Sequence, residues 1–443
     1  MSKTPKTIKP KERDTIIQAL SAGVVPRVGL PHIQVGRAAE IGALLRDVDR
    51  IADGGATVRF VIGDYGAGKT FFANLIRLIA LERKCVTVHA DLGPDRRIHA
   101  SGGQARALYS EAVRNMATRT KPEGGALAAV VERLVTDAVK EGGERQLPVE
   151  KVIDEKLAPI QEFVGGYDFA TVLKAYWRGS EASNEELKLA SLRWLRGEFT
   201  TKTEANKALG VRTIIDDDSV YDSLKSLACL TKVAGYAGLL VMFDEMVNIY
   251  KLQNAQARKS NFEQILRIVN DALQGNTSHI GFVMCGTPQF LMDTRRGLFS
   301  YEALQSRLAE NQFATKSLVD LSGPVINLQS LTPEDLLVLL TNIRMVFAGG
   351  DPAKYLVPEE ALTAFMAHCD RRIGEAYFRT PRTTVKAFVQ LLSVLEQNPS
   401  AKWQDLLGDV QVPPDQGGQE DLATDGGAQP GGDDELTSFR LGT

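Results

Sequence analysis

The chain has 443 residues, 44% of them hydrophobic, which allows two or three domains and a sizeable core. Lysine plus arginine (52) nearly balances aspartate plus glutamate (55), a formal charge of −3, so coating of DNA through bulk charge is not indicated, although a local basic face is compatible with these numbers. The scattered Cys85, Cys229, Cys285 and Cys369 lack C-x-x-C spacing and histidine neighbours, which predicts buried free thiols rather than zinc or disulfides. With no uncharged run of bilayer length and no apolar leader, a soluble cytoplasmic protein without a membrane partner is expected.

In chain order, residues 1–35 read as an N-terminal arm and residues 36–328 as an α/β nucleotide-binding core. An apolar stretch over 57–62 runs into Gly63-Asp64-Tyr65-Gly66-Ala67-Gly68-Lys69-Thr70 and then into a helix-like run over 71–78. That is G-x-x-x-x-G-K-[ST] in its required strand–turn–helix setting. The glycines let backbone N–H groups face phosphate, Lys69 reaches the outer phosphates, and Thr70 can hold Mg²⁺. ATP and Mg²⁺ are the implied cofactors, with nucleotide contacts expected from Gly63 through Phe71.

A second strand is predicted over 84–89. Residues from about 95 to 235 exceed what one helix and one strand need, and form a large, mainly helical insertion, with amphipathic runs over 104–119, 125–140, 168–178 and 184–196. The stripe Leu189, Leu192, Leu195 and Phe199 reads as a core face. The arginine-rich run over 91–99 is either a salt-bridged loop or an approach to phosphate or DNA.

The apolar run over 238–243 ends in Asp244-Glu245 and reads as a Walker B strand, Asp244 on Mg²⁺ and Glu245 accepting the proton of attacking water. The run over 280–285 ends in Gly286-Thr287-Pro288, which makes Thr287 the sensor 1 candidate at the strand between the P-loop and Walker B strands. A fifth strand is expected over 325–328, followed by a helix opening at Thr332-Pro333-Glu334-Asp335.

This order of elements resembles an AAA+ ATPase: a parallel sheet of order 5-1-4-3-2, the large helical insertion, and an α-helical lid over 329–408. Clamp loaders and origin-binding ATPases carry a Ser-Arg pair where this chain has Ser306-Arg307, so Arg307 is the candidate trans-acting arginine finger of an oligomer, with Arg295 and Arg296 as competitors. In the lid, Arg382 is the sensor 2 candidate, favoured over Arg379 and Arg372. Residues 409–443, Gly/Pro-rich and acidic, read as a disordered tail.

Longer signatures narrow the likeness. Val24-Val25-Pro26-Arg27-Val28-Gly29-Leu30, Val35-Gly36-Arg37, the whole run from Phe60 to Phe72, Pro94-Asp95-Arg96-Arg97, Trp194-Leu195-Arg196-Gly197-Glu198, Tyr301 to Glu310 and Tyr377-Phe378-Arg379-Thr380-Pro381-Arg382 resemble the BrxD-like ATP-binding proteins of BREX phage-defence islands, over about residues 15 to 408. The resemblance implies a role against foreign DNA beside helicases and other defence proteins, with Gly36 and Arg37 lining an adenine pocket. It leaves open an ATPase whose nucleotide state governs assembly on double-stranded DNA or on partners, a nucleotide-sensing switch with little turnover that recruits an effector, and a direct DNA-recognition module. The Asp244-Glu245 pair argues against the second. A short, polar chain after Leu395, with little room for a winged helix, argues against the third.

Overall fold

The computed structural model describes residues 8–163, 165–311, 313 and 320–409; the expected tail from 410 onward lies outside them. Five strands, β1 (Ala56–Ile62), β2 (Val86–Asp91), β3 (Leu239–Asp244), β4 (Ile280–Gly286) and β5 (Val325–Asn327), are all parallel and stand in the order β2-β3-β4-β1-β5. β1 and β4 are buried along their whole length, as near-continuous apolar strands covered on both faces must be.

Helices α1 (Pro10–Ser21), α2 (Leu30–Ile33) and α3 (Ala38–Ala52) precede the sheet, and α4 (Lys69–Glu82) leaves β1. Between β2 and β3 the chain is helical: α5 (Gln104–Arg114), α6 (Leu127–Arg145), α7 (Val149–Gln161), α8 (Gly166–Glu181), α9 (Glu185–Leu195), α10 (Lys202–Leu209) and α11 (Val220–Val233). Then come α12 (Val247–Tyr250) and α13 (Ala255–Gln274) after β3, and α14 (Pro288–Met292) and α15 (Glu302–Leu308) after β4. A C-terminal bundle follows β5: α16 (Pro333–Phe347), α17 (Glu359–Ile373), α18 (Ala376–Arg379), α19 (Pro381–Gln397) and α20 (Trp403–Asp409).

The two-residue period of a strand divides the core. Val58, Phe60 and Ile62 of β1 join Phe243 and Met284 and the helices between β2 and β3. Val61 faces the other way, onto Leu44 and Val48 of α3 and Phe72 and Ile76 of α4. A third cluster unites the ends of the chain: Ile16 and Ile33 pack with Leu340, Phe365 and Phe388 of the C-terminal bundle. Arg13 ties α1 to that bundle through Glu396 at 2.9 Å and the Phe347 carbonyl at 2.6 Å. α16 opens with Pro333 at its first turn and a capping box between Thr332 and Asp335.

Two expectations need correction. The helix predicted to Arg119 stops at Arg114, because Ala117 turns back to exchange backbone hydrogen bonds with Thr87 and so covers part of β2, an edge strand with otherwise open N–H and C=O groups. Leu189 is 55% exposed whereas Leu192, Leu195 and Phe199 are buried. Each three-residue step lags a full helical turn by about 60°, so Leu189 lies about 120° round from Leu195 and off the buried face.

On the α3 face of the sheet, Arg59 of β1 makes a paired contact with Asp47, Nη2 to Oδ1 at 2.9 Å and Nε to Oδ2 at 2.5 Å, and also donates to the Leu321 and Gly323 carbonyls before β5. Both residues are buried. Removing one partner strands the other charge in the core, so Asp47→Ala is expected to cost about 3 kcal/mol, read as a lowered midpoint in urea unfolding; a change within about 0.5 kcal/mol would mean water reaches Arg59.

Candidate nucleotide site

β1 ends at Ile62 and the chain turns through Gly66 (φ 75°) and Gly68 (φ 81°), left-handed positions that suit glycine, before α4 starts at Lys69. A Cβ on Gly66 would meet Cγ2 of Thr380 at 2.9 Å, so the loop before α19 sits directly on the phosphate-loop turn. Lys69 Nζ donates to the Gly63 and Asp64 carbonyls at 2.8 and 2.9 Å and lies 5.5 Å from the Tyr65 ring centroid. Its pKa is lowered by burial, against an opposing pull led by Asp244. Phe71 turns to the cluster of the C-terminal bundle.

β3 delivers the carboxylates. Thr70 Oγ1 donates to Asp244 Oδ2 at 2.9 Å, and Asp244 Oδ1 accepts the Glu245 N–H at 2.8 Å. Two oxygens at that separation fit neighbouring corners of a Mg²⁺ octahedron, whose edge is about 3.0 Å for metal–oxygen bonds of about 2.1 Å. Among the described residues no group of three or more His, Cys, Asp or Glu could hold a metal by itself, so a cation here needs ligands beyond the protein's own carboxylates. Glu245 has φ 57°, an unusual backbone for a glutamate, and its carboxyl opens on the cavity. Its pKa is raised by burial and by Asp244 beside it, with Lys69 opposing. Thr287, at the end of β4 between β1 and β3, caps α14 by accepting the Phe290 N–H at 3.4 Å and keeps its own hydroxyl proton for another acceptor.

These groups line one cavity of about 650 Å³, together with Arg37, Arg382, Val35 and Val385. Arg37 adopts φ 59° and donates to the Ala67 carbonyl of the loop, so it braces the turn from beneath. Gly36 stands beside Asp335 rather than facing the cavity. Arg382, in the first turn of α19, donates from Nε to the Gly23 carbonyl at 2.6 Å. Arg307 lies away from the cavity, held by Asn270 Oδ1 at 2.6 Å and the Ala303 carbonyl at 2.8 Å. Arg296 donates to the Tyr250 and Leu252 carbonyls, and Arg295 is exposed. In the 91–99 loop, Arg96 faces Asp95 and Glu111 at 3.8 and 3.9 Å, the salt-bridged arrangement.

Three cavity features were not anticipated. Asp91 ends β2 directly opposite Asp244, and its pKa is raised by burial and by that neighbour. The sequence-based strand stopped at residue 89, two short of the carboxylate that the strand-end rule would have marked. Arg77 and His89 also reach the cavity, from α4 and β2. No periodicity singles out a lone arginine or histidine.

A glycine-cornered loop between a central parallel strand and a helix, with Lys69 and Thr70 set against Asp244, is the architecture of a P-loop nucleotide-binding protein. The model for the family "BREX system ATP-binding protein BrxC/D" matches residues 8–411, and the chain belongs to that family. It is thus an ATP-binding component of a BREX system, working with other defence proteins. No individual curated protein matches the chain. No described helix is long and apolar enough to cross a membrane.

Proposed function

We propose that the chain is an AAA+ ATPase that binds ATP with Mg²⁺, hydrolyses it, and couples its nucleotide state to assembly as a homo-oligomer on double-stranded DNA or with partners such as a helicase in the cytoplasm. The carrying observation is the meeting of Lys69 and Thr70 with Asp244 and Glu245 in one cavity. The strand order, with β1 between β5 and β4, supports the AAA+ assignment. On this reading residues 36–328 are the core with its insertion over about 95–235, residues 329–408 are the lid, and residues 1–35 are an arm that packs on the lid.

Thr70 and Asp244 hold Mg²⁺, which neutralises charge on the outer phosphates. The backbone N–H groups from Gly63 to Thr70 and the Lys69 ammonium cradle the phosphates. Glu245 takes the proton of the attacking water, Thr287 orients that water, and Arg382 approaches the γ-phosphate from the lid. Lys69→Ala removes the charge that the loop is built around, so ATP affinity is expected to fall at least about a hundredfold in a fluorescent-nucleotide titration, with the melting temperature kept. Unchanged affinity would take the nucleotide out of this cavity.

The switch reading keeps one observation on its side. Both candidate phosphate-sensing arginines are engaged within the subunit, Arg307 by Asn270 and Arg382 by the Gly23 carbonyl. A lone subunit in this state binds ATP without its full set of transition-state charges, and only a partner-dependent rise in turnover separates the ATPase from the switch.

A further inference from the structure

Two turns beyond Lys69, about 12 Å along α4, the cavity has a second positive end. Arg77 is only 5% exposed; its Nη1 donates to the Pro122 carbonyl at 2.8 Å, while its buried Nε has no partner among the described residues. His89 of β2 presents a buried Nδ1 that is likewise without a described partner. Arg27, from the segment ahead of α2, lines the same space. Glu123 is the acid beside Arg77, and Glu111 acts on His89 from α5.

Arg77 as a strut for the turn at Pro122 explains Nη1 alone. It explains neither the open Nε, nor the His89 nitrogen, nor a second arginine brought next to a buried one. A buried guanidinium N–H left without an acceptor is costly, and a phosphate oxygen accepts from a guanidinium in the strong, charge-assisted way. The field is strong enough that burial, Arg77 and Arg27 together push His89 down to about 4. At neutral pH its Nδ1 can therefore serve as donor or acceptor.

We infer that Arg27, Arg77 and His89 form a second anion subsite of the cavity, one that takes a phosphate group apart from the cradle at Lys69. Arg77 lines the cavity yet is almost completely buried, which suits a small anion and not the backbone of a duplex. The phosphate is either free in solution or carried on the ribose of the bound nucleotide.

The test begins with the full chain carrying Lys69→Ala, so that the phosphate loop does not compete, titrated with inorganic phosphate by calorimetry. Saturable binding is expected, weakened at least about tenfold by Arg77→Gln and by Arg27→Ala. Arg27 is exposed, so its variant still decides the matter if Arg77→Gln fails to fold. In the unaltered chain, adenosine 3′,5′-bisphosphate binding about tenfold more tightly than AMP, with the gain lost in Arg27→Ala, assigns the phosphate to the ribose. Phosphate binding without that gain assigns it to the free anion. No Arg27-dependent binding of either probe overturns the subsite, whereas failure of the unaltered chain to bind ATP would remove the nucleotide reading and leave this result standing.

Discussion

A Glu245→Gln chain is expected to bind ATP as tightly as the unaltered protein and to hydrolyse it about 10² to 10⁴-fold more slowly, the range a positioned general base contributes. Glutamine keeps the volume and the left-handed backbone but cannot take a proton from water. That backbone, φ 57°, costs a non-glycine residue about 1 to 2 kcal/mol, and Glu245 lines the cavity beside Asp244. The pH profile carries the same assignment. Glu245 acts as a base only when ionised, so turnover should fall as decreasing pH protonates it. Near-normal turnover by the glutamine variant in single-turnover assays would move the base elsewhere; Asp91, opposite Asp244 and lining the same cavity, is the alternative carboxylate.

Arg307→Ala is expected to leave nucleotide affinity intact and slow turnover about 10³-fold under conditions where the chain assembles, the lower end of what an arginine finger supplies. Arg307 does not line the cavity of its own subunit and is held by Asn270 and the Ala303 carbonyl, so a finger role for it would be exerted across an interface. Two signatures distinguish this from a local packing defect. The defect should vanish at dilutions where the unaltered chain is also slow, and mixing Arg307→Ala with Glu245→Gln subunits should restore part of the activity through interfaces that pair a sound base with a sound arginine. Normal turnover by the assembled Arg307→Ala chain would remove the finger role and turn attention to Arg295, which is exposed on the loop after α14.

What could be read from the sequence was what short-range physics writes into it. The loop from Gly63 to Thr70 and the carboxylates at the end of β3 follow local rules of turn and strand, and they meet in the fold. Amphipathic period revealed the helices around 104–119, 125–140, 168–178 and 184–196 but not α7, α10 or α11, and it counted Leu189 into a face from which the helical angle excludes it. Contacts between remote segments left no local trace. Arg13 meets Glu396, and Arg382 meets Gly23, across more than 350 residues, so the packing of the N-terminal helices on the C-terminal bundle emerges only from the folded chain. The same holds for Arg27, Arg77 and His89, three unremarkable positions in sequence that line a single cavity.

The central claim is an ATPase site completed by assembly, and steady-state ATP hydrolysis measured against protein concentration, with and without double-stranded DNA and with Glu245→Gln as background, tests it most directly. Turnover per subunit that rises cooperatively with concentration, and further with DNA, is the predicted result. Turnover that stays at the Glu245→Gln background at every concentration while ATP binds tightly would contradict it and leave a nucleotide-sensing switch.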